Sequence, residues 1–282
     1  MGTPVAIIDF SWILYKFRQY YKETCRFDYE GRYFPIGHVY GTIHVVQQLA
    51  SQYKAVFLCV DSRSKHRYEV LPDYKSGRHS PTGDPYEDYK IMTDLMNILK
   101  LCTYQGNVFY IKHEGMESDD IIASWIASSG SSPYELYCYF NDVDILQTPG
   151  TYHWFRSFHE PEVDRRSYIK GKFGIDRNYL PIWWKVVRGD PSDGIPSSIP
   201  RFPSKKLVSI CMSSAGMPNT VGWFSDQVGG GVSKDLIERN FQVISPNVVP
   251  VSDFKLKRLG CTEDEIKQLL QYYQIIDFVP VP

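Results

Sequence analysis

Three observations predict an α/β fold built on a mainly parallel sheet flanked by helices. Four short apolar runs, at residues 5–8, 55–60, 107–111 and 135–140, are each bounded by polar residues. That is the pattern of strands buried on both faces. Between them lie longer stretches with apolar residues at helical spacing, and this alternation belongs to α/β domains. Each run also leads into acid: Asp9, then Asp61, then Glu117 with Asp119 and Asp120, then Asp142 with Asp144. Ligand sites in open parallel sheets collect beyond the carboxyl ends of the strands. Four acidic ends meeting at one such edge would repel one another unless cations stood among them.

The elements follow in order. Helices are predicted at 12–21 and 40–53, after the first strand. The segment 62–86 breaks the pattern, being basic, aromatic and interrupted by Pro72, Gly77, Pro81, Gly83 and Pro85. Insertions that long are usually functional. A helix over 88–101 carries Ile91, Leu95, Ile98 and Leu99 on one stripe. Another starts at Ser118 and buries Ile121, Ile122, Trp125 and Ile126. Beyond about residue 175 the strand signals fade. Helices are expected at 178–188, 204–212, 234–242 and 263–273, with a turn-rich loop at 189–196 and a joint at the glycine run 229–231. The chain therefore divides into an α/β part, 1–177, and a smaller helical part, 178–282.

At 43% hydrophobic residues, the chain of 282 residues has ample material for a core, and no apolar stretch reaches the length of a membrane span. The six cysteines (25, 59, 102, 138, 211 and 261) are scattered without a paired spacing. With no signal-like start, this predicts a reduced, cytoplasmic protein. A net charge of −1 argues against a generic nucleic-acid binder. The distribution says more. Residues 63–78 hold five Lys/Arg against two acids, and 154–206 hold eleven against six. A basic frame around an acidic hole suits a metal-dependent nuclease, although solvated charged faces are also common.

Five motifs together resemble the 5′-nuclease family of flap endonucleases and 5′–3′ exonucleases. They are Asp9 after the first strand; Asp61, then Arg67, then Tyr74-Lys75-Ser76-Gly77-Arg78; Gly115-Met116-Glu117-Ser118-Asp119-Asp120; Asn141-Asp142-Val143-Asp144; and Gly189-Asp190-Pro191-Ser192-Asp193-Gly194. The resemblance covers about residues 5–206 and is strongest to stand-alone phage replication enzymes, including phage RNase H. It implies a PIN-like fold with an arch or gateway over about 62–100 and a helix-hairpin-like C-terminal region.

It further implies hydrolysis of phosphodiester bonds by two Mg²⁺ or Mn²⁺ ions. One ion is implied at Asp9, Asp61, Glu117 and Asp119. The other is implied at Asp142, Asp144 and Asp193, with Asp120 and Asp190 acting indirectly. Hard cations of this kind take oxygen ligands, which explains carboxylates in place of His or Cys. By the same resemblance Lys75, Arg78 and Arg67 would contact phosphate. Tyr74, Tyr86 and Tyr89 are candidates to stack on bases, with core or surface packing as the equal alternative for each; the substrate would be DNA with a 5′ flap or 5′ end, with RNA paired to DNA left open. A single-stranded-DNA-binding protein or a polymerase is an implied partner of a monomeric enzyme. Alone, Glu117-Ser118-Asp119-Asp120 reads better as an acidic first turn and Asp142-Val143-Asp144 as a turn; their joint occurrence favours the metal site.

The sequence departs from the family at 195–206. Pro200 and Pro203 stand near expected glycines, and proline lacks the N–H and the positive φ of a backbone phosphate grip. Arg201, Lys205 and Lys206 are the candidates to hold duplex phosphates instead. Three rivals stay in view. A haloacid-dehalogenase-like hydrolase should have a second acid two residues after Asp9, where Ser11 stands. A PIN ribonuclease would be shorter, and a non-catalytic DNA clamp should have lost several carboxylates.

Overall fold

The computed structural model describes residues 2–21, 26–29, 32–77, 85–213, 221–229, 233–275 and 278. Strand β1 (Thr3–Asp9) leads into α1 (Phe10–Tyr20), a hairpin of β2 (Arg26–Tyr29) and β3 (Arg32–Pro35), and α2 (Gly37–Gln52). Then come β4 (Ala55–Cys59), α3 (Lys65–Val70), α4 (Pro85–Thr103), β5 (Val108–Ile111), α5 (Ser118–Ala127), β6 (Tyr134–Tyr139) and β7 (His153–Phe155). The rest is helical: α6 (Arg165–Phe173), α7 (Leu180–Arg188), α8 (Ser204–Ser213), α9 (Val221–Val228), α10 (Lys234–Ile244) and α11 (Glu263–Tyr272).

Five strands form one sheet in the order β5-β4-β1-β6-β7, and every pairing in it is parallel. The apolar runs are continuous because each strand supplies two cores. Ala6, Ile8, Val56 and Leu58 face a core with α1, α2 and α4, whereas Val5, Ile7, Phe57 and Cys59 face one with α5. The chain moves from β1 outward to β4 and β5, then returns across β1 to β6 and β7. The crevice beyond the carboxyl ends of β1 and β6 is therefore the topological switch point.

The helical part has a third core, in which Trp183 stacks on Phe224 with ring centroids 4.0 Å apart. Tyr74, from the start of the arch segment, belongs to this core. At the other end, α11 returns to the first core through Ile266 and Tyr273. Buried Asp94 locks it there: His38 Nε2 lies 2.8 Å from one carboxylate oxygen and Tyr273 Oη donates to the other at 2.5 Å.

Several elements differ from expectation. Helix α2 starts at Gly37 and not at Tyr40, because Ile36 and Gly37 already pack under Phe17 and Tyr21. Strand β7 is only three residues long, too short for an alternation to register. Helix α6 buries Ile169 alone and lacks an apolar stripe, although its Asp164 cap and Gly174 at φ 84° are ordinary helix-end signals. The hairpin and α9 were also unanticipated. In the arch segment the chain forms α3 and then turns as far as Gly77; Arg78, His79 and the rest of 78–84 lie outside the described residues, as do Gly230 and Gly231.

Helices α1 and α2 cross at Gly41, where an added Cβ would overlap the Phe17 ring. Gly41→Ala should overpack this contact and cost about 1–3 kcal/mol. The change is read as a lower urea midpoint at unchanged m; an unaltered midpoint would mean that Phe17 yields without strain.

Candidate active site

Three of the four acidic strand ends first serve their own turns. Asp9 caps α1 by accepting the Trp12 N–H at 3.1 Å. Glu117 caps α5 in a reciprocal box with Asp120. Asp142 caps the short turn Val143–Gln147, accepting the Asp144 N–H at 3.0 Å. The local reading of these motifs as turn chemistry is thus correct, and it does not compete with a collective role. Ser118 ties the ends together: its Oγ donates to Asp9 at 3.1 Å and its N–H to Asp61 at 2.7 Å. Ser11 Oγ donates to the other Asp61 oxygen.

The last acids arrive from the loop after α7. Gly189 (φ 78°) starts it, and a side chain there would run into the Ile195 carbonyl. Asp190 pairs back to Ile195, and the loop carries Asp193 over the base of the arch segment. There the Lys75 N–H donates to the Asp193 carbonyl at 2.8 Å, and Lys75 adopts the left-handed φ of 56° to do so. A non-glycine in that region is strained and persists where its surroundings over-determine it. Lys75 Nζ then reaches Glu117 at 2.8 Å. Asp9, Asp61, Lys75, Glu117, Asp119, Asp142 and Asp193 all line one open groove of about 530 Å³. Asp144 and Asp190 line an adjoining recess that shares Asp119, Lys185 and Asp193 with it.

Charge accumulation is visible in the protonation equilibria. Burial, then Asp61, pushes Asp9 up to about 7 against the hydrogen bonds from Trp12 and Ser118. Burial, then Asp142 and Asp9, holds Asp119 well above the usual carboxylate range. Burial and Asp142 push Asp144 up to about 8, outweighing Lys185. Burial also acts to raise Asp190, but the Ser192 hydrogen bonds and Lys185 hold it below its ordinary value. Among the described residues no three of these acids are drawn around one point as a bound ion would draw them. Ammonium groups stand among them instead. Lys185 Nζ sits 2.5 Å from Asp144, 3.3 Å from Asp190 and 3.6 Å from Asp142. The donor set is nonetheless what a hard divalent cation takes, and Asp144 Oδ1 is buried with no hydrogen-bond partner.

Two site expectations need correction, those for Arg67 and Tyr74. Arg67 does not reach a phosphate. It is 5% exposed, makes two 2.7 Å bonds to Asp120, and donates to the Val243 carbonyl at 2.8 Å. Asp120, implied to act indirectly, lies behind the groove with all its acceptor capacity used there. Besides Arg67 it takes the Glu117 N–H at 3.0 Å and the Asn247 N–H at 2.8 Å. Tyr74 is no stacking surface: at 3% exposure its ring is in the third core and its hydroxyl donates to Glu117 at 3.1 Å. Arg78 and the side chains of Tyr86 and Tyr89 lie outside the described residues. Arg201 and Lys205 are exposed, with Arg201 itself at φ 58°, while Lys206 Nζ is tied to the Val228 carbonyl at 3.1 Å.

Other residues were not anticipated. Lys185 interrupts the apolar run 180–187 of the helix Leu180–Arg188, and that interruption was its one sequence signal. Ser11 and Ser118 carry no such signal. Arg156, Tyr168, Lys172, Trp12 and Tyr15 complete the groove's rim.

Comparisons with known proteins bear on the family and the fold. The family model for the 5′–3′ exonuclease N-terminal resolvase-like domain matches residues 4–174. The flap endonuclease Xni of Yersinia enterocolitica is 24% identical over 158 residues, 54% of this chain and 60% of that protein. DNA polymerase I of Bacillus caldotenax is 20% identical over 209 residues, 72% of this chain but 23% of that protein. The chain thus spans less than two thirds of either relative's length. Among solved structures, the bacteriophage T5 5′-exonuclease with bound zinc has a TM-score of 0.66 at 16% identity, covering 96% of this chain and 98% of that one. The catalytic core of Rad2 with a DNA substrate has a TM-score of 0.53 at 13% identity, covering 97% and 87%. At such identities the structural likeness is one of fold.

Two outcomes follow from the electrostatics. An acid whose folded pKa is raised contributes stability below its unfolded value and loses it as pH rises through the folded one. In chelator the protein should therefore melt at a lower temperature at about pH 8.5 than at about pH 5.5, and Mg²⁺ should narrow the gap. A melting temperature that climbs with pH in chelator would contradict the crowding. Separately, Arg67→Ala strands the buried Asp120 charge and should cost about 3–5 kcal/mol in urea unfolding. A loss within the ~0–1 kcal/mol of a surface pair would demote this brace.

Proposed function

Since the chain belongs to the 5′–3′ exonuclease family, we propose that it is a structure-specific 5′ nuclease. It cleaves phosphodiester bonds in DNA at a 5′ flap or 5′ end, during replication or repair. One observation carries the reading: acids from four strand ends and from the Gly189–Gly194 loop converge, with Lys75, on one edge of the sheet. The likeness to flap endonuclease Xni and to the T5 enzyme supports it.

Asp9, Asp61, Glu117 and Asp119 are proposed to hold one divalent cation, Mg²⁺ or Mn²⁺, and Asp142, Asp144 and Asp193 a second. Such a pair would supply a water nucleophile at neutral pH and stabilise the leaving alkoxide. The protein's own groups do the rest. Ser11 and Ser118 fix the rotamers of Asp61 and Asp9, so the oxygens need not reorganise. Lys75, held at the groove by its backbone bond to Asp193, places a positive charge for a phosphate oxygen. Asp190 anchors Ser192 and Lys185, and so sets the loop that delivers Asp193. Arg156 and Lys172 at the rim attract the strand, and Trp12 and Tyr15 offer ring faces for unpaired bases.

In this reading residues 1–177 form the nuclease domain, and 178–282 complete its site and hold the duplex through Arg201 and Lys205. The polymerase relative supports a DNA polymerase as partner, and a single-stranded-DNA-binding protein fits the same setting. The enzyme works as a monomer in the cytoplasm; no helix among the described residues is long and apolar enough to cross a membrane.

A 5′-labelled flap duplex tests the reading. Cleavage near the junction should require Mg²⁺ or Mn²⁺, stop in EDTA, and be lost in the Asp142→Asn/Asp144→Asn double variant. Cutting without metal, or parental activity in that variant, would sink the two-cation assignment. Lys75→Ala should slow cleavage at least about 100-fold, a scale usual for losing a charge aimed at the reacting group, while duplex affinity stays within a few-fold. Equal rates would remove Lys75 from the chemistry.

A further inference from the structure

A second groove, of about 1020 Å³, is separate from the acidic one. It lies on the far side of the ridge where Asp61 and Glu117 are rooted. Ser62 and Gly115 form its lip, and the Ser62 N–H bond to the Met116 carbonyl at 2.9 Å closes that ridge. Its walls carry Arg63, Lys65, Lys112, Lys255 and Lys257. Glu69, Glu114 and Asp253 also line it, and Glu69 is paired with Lys65 at 4.0 Å.

Two details separate this groove from an ordinary solvated face. First, its lysines are held together by backbone. Tyr110 at the edge strand β5 and Lys257 exchange both N–H···O bonds at 3.0 Å, as antiparallel neighbours do. Two residues along the chain from that isolated pair, on either side of it, stand Lys112 and Lys255, and all three lysines line the same groove. Like charges brought level across neighbouring strands destabilise a sheet. None of the three has an ion-pair partner among the described residues. Second, Arg63 lies over the Tyr68 ring, 4.3 Å from its centroid, making a flat aromatic–cationic wall. Unneutralised cations beside an aromatic wall are what a single strand of nucleic acid uses: phosphates take the charges and bases take the flat faces.

We propose that this groove is a second track for single-stranded nucleic acid, holding the unpaired strand as it passes beyond the Asp61–Glu117 ridge. The choice of polyanion rests on the nuclease reading above; the groove and its charge do not. It assigns Lys112, Lys255 and Lys257 to backbone phosphates and the Arg63–Tyr68 pair to a base.

The test is anisotropy of a fluorescein-labelled oligothymidylate of about 15 nucleotides with the full chain in EDTA, across a salt series. A variant with Lys112→Gln, Lys255→Gln and Lys257→Gln is compared with the parent and with Lys267→Gln, an exposed change on α11. All these lysines are exposed, so the fold is not at risk. The triple variant should bind about tenfold or more weakly. Its log–log salt slope should be shallower by about 2, since each phosphate contact to a single strand contributes about 0.7. Lys267→Gln should match the parent. Parental affinity and slope in the triple variant overturn the proposal. Flap cleavage by the parent is scored separately: its absence would remove the nuclease reading while the binding measurement still decides the groove.

Discussion

Repulsion among carboxylates governs this molecule. Two like charges about 4 Å apart near a protein surface cost about 4 kcal/mol, whereas a typical hydrogen bond returns about 0.5–1.5 kcal/mol. The bonds from Trp12, Ser11 and Ser118 therefore orient Asp9 and Asp61 but do not offset their crowding. Positive charge must. Lys75 at Glu117 and Lys185 among Asp142, Asp144 and Asp190 supply it, and Asp9, Asp119 and Asp144 still hold protons far above the usual carboxylate range. A site in this condition is primed for cations.

Behind the acidic edge, a buried ion pair of the α/β part also holds the helical part. Asp120 accepts from Arg67, from the backbone of Glu117 and from the backbone of Asn247, while Arg67 also reaches the Val243 carbonyl. Helix α3, the start of α5 and the end of α10 thus meet at one ion pair. Breaking a buried pair is expensive because the remaining charge has nowhere to go, so this joint keeps Glu117 in place. On the other side, Lys75 ties the arch base to the loop that brings Asp193. Residues remote in sequence share the site because these two ties draw the helical part over the sheet edge.

Much of this was legible in the sequence, for physical reasons. A strand buried on both faces must be apolar throughout, so β1, β4, β5 and β6 stood out, and the acid after each fell where strands end. Lys75 was legible through its motif. Arg67 and Tyr74 share that motif, but their partners, Asp120 and Glu117, are more than forty residues away. A charged or phenolic group in a basic segment reads as solvent-facing until a distant partner is known. Lys185 was hidden for the same reason, since its acids come from β6 and the loop after α7. Strand β7 and helix α6 were missed because one is too short and the other too polar to show a period.

The most direct measurement is an anomalous-difference map from crystals soaked in Mn²⁺. Two peaks are expected, one among Asp9, Asp61, Glu117 and Asp119 and one among Asp142, Asp144 and Asp193, with the Lys185 ammonium displaced from Asp144. No peak at saturating Mn²⁺, with Lys185 still bonded to Asp144, would contradict it; the lysine would then be the permanent counter-ion of an edge that binds no metal.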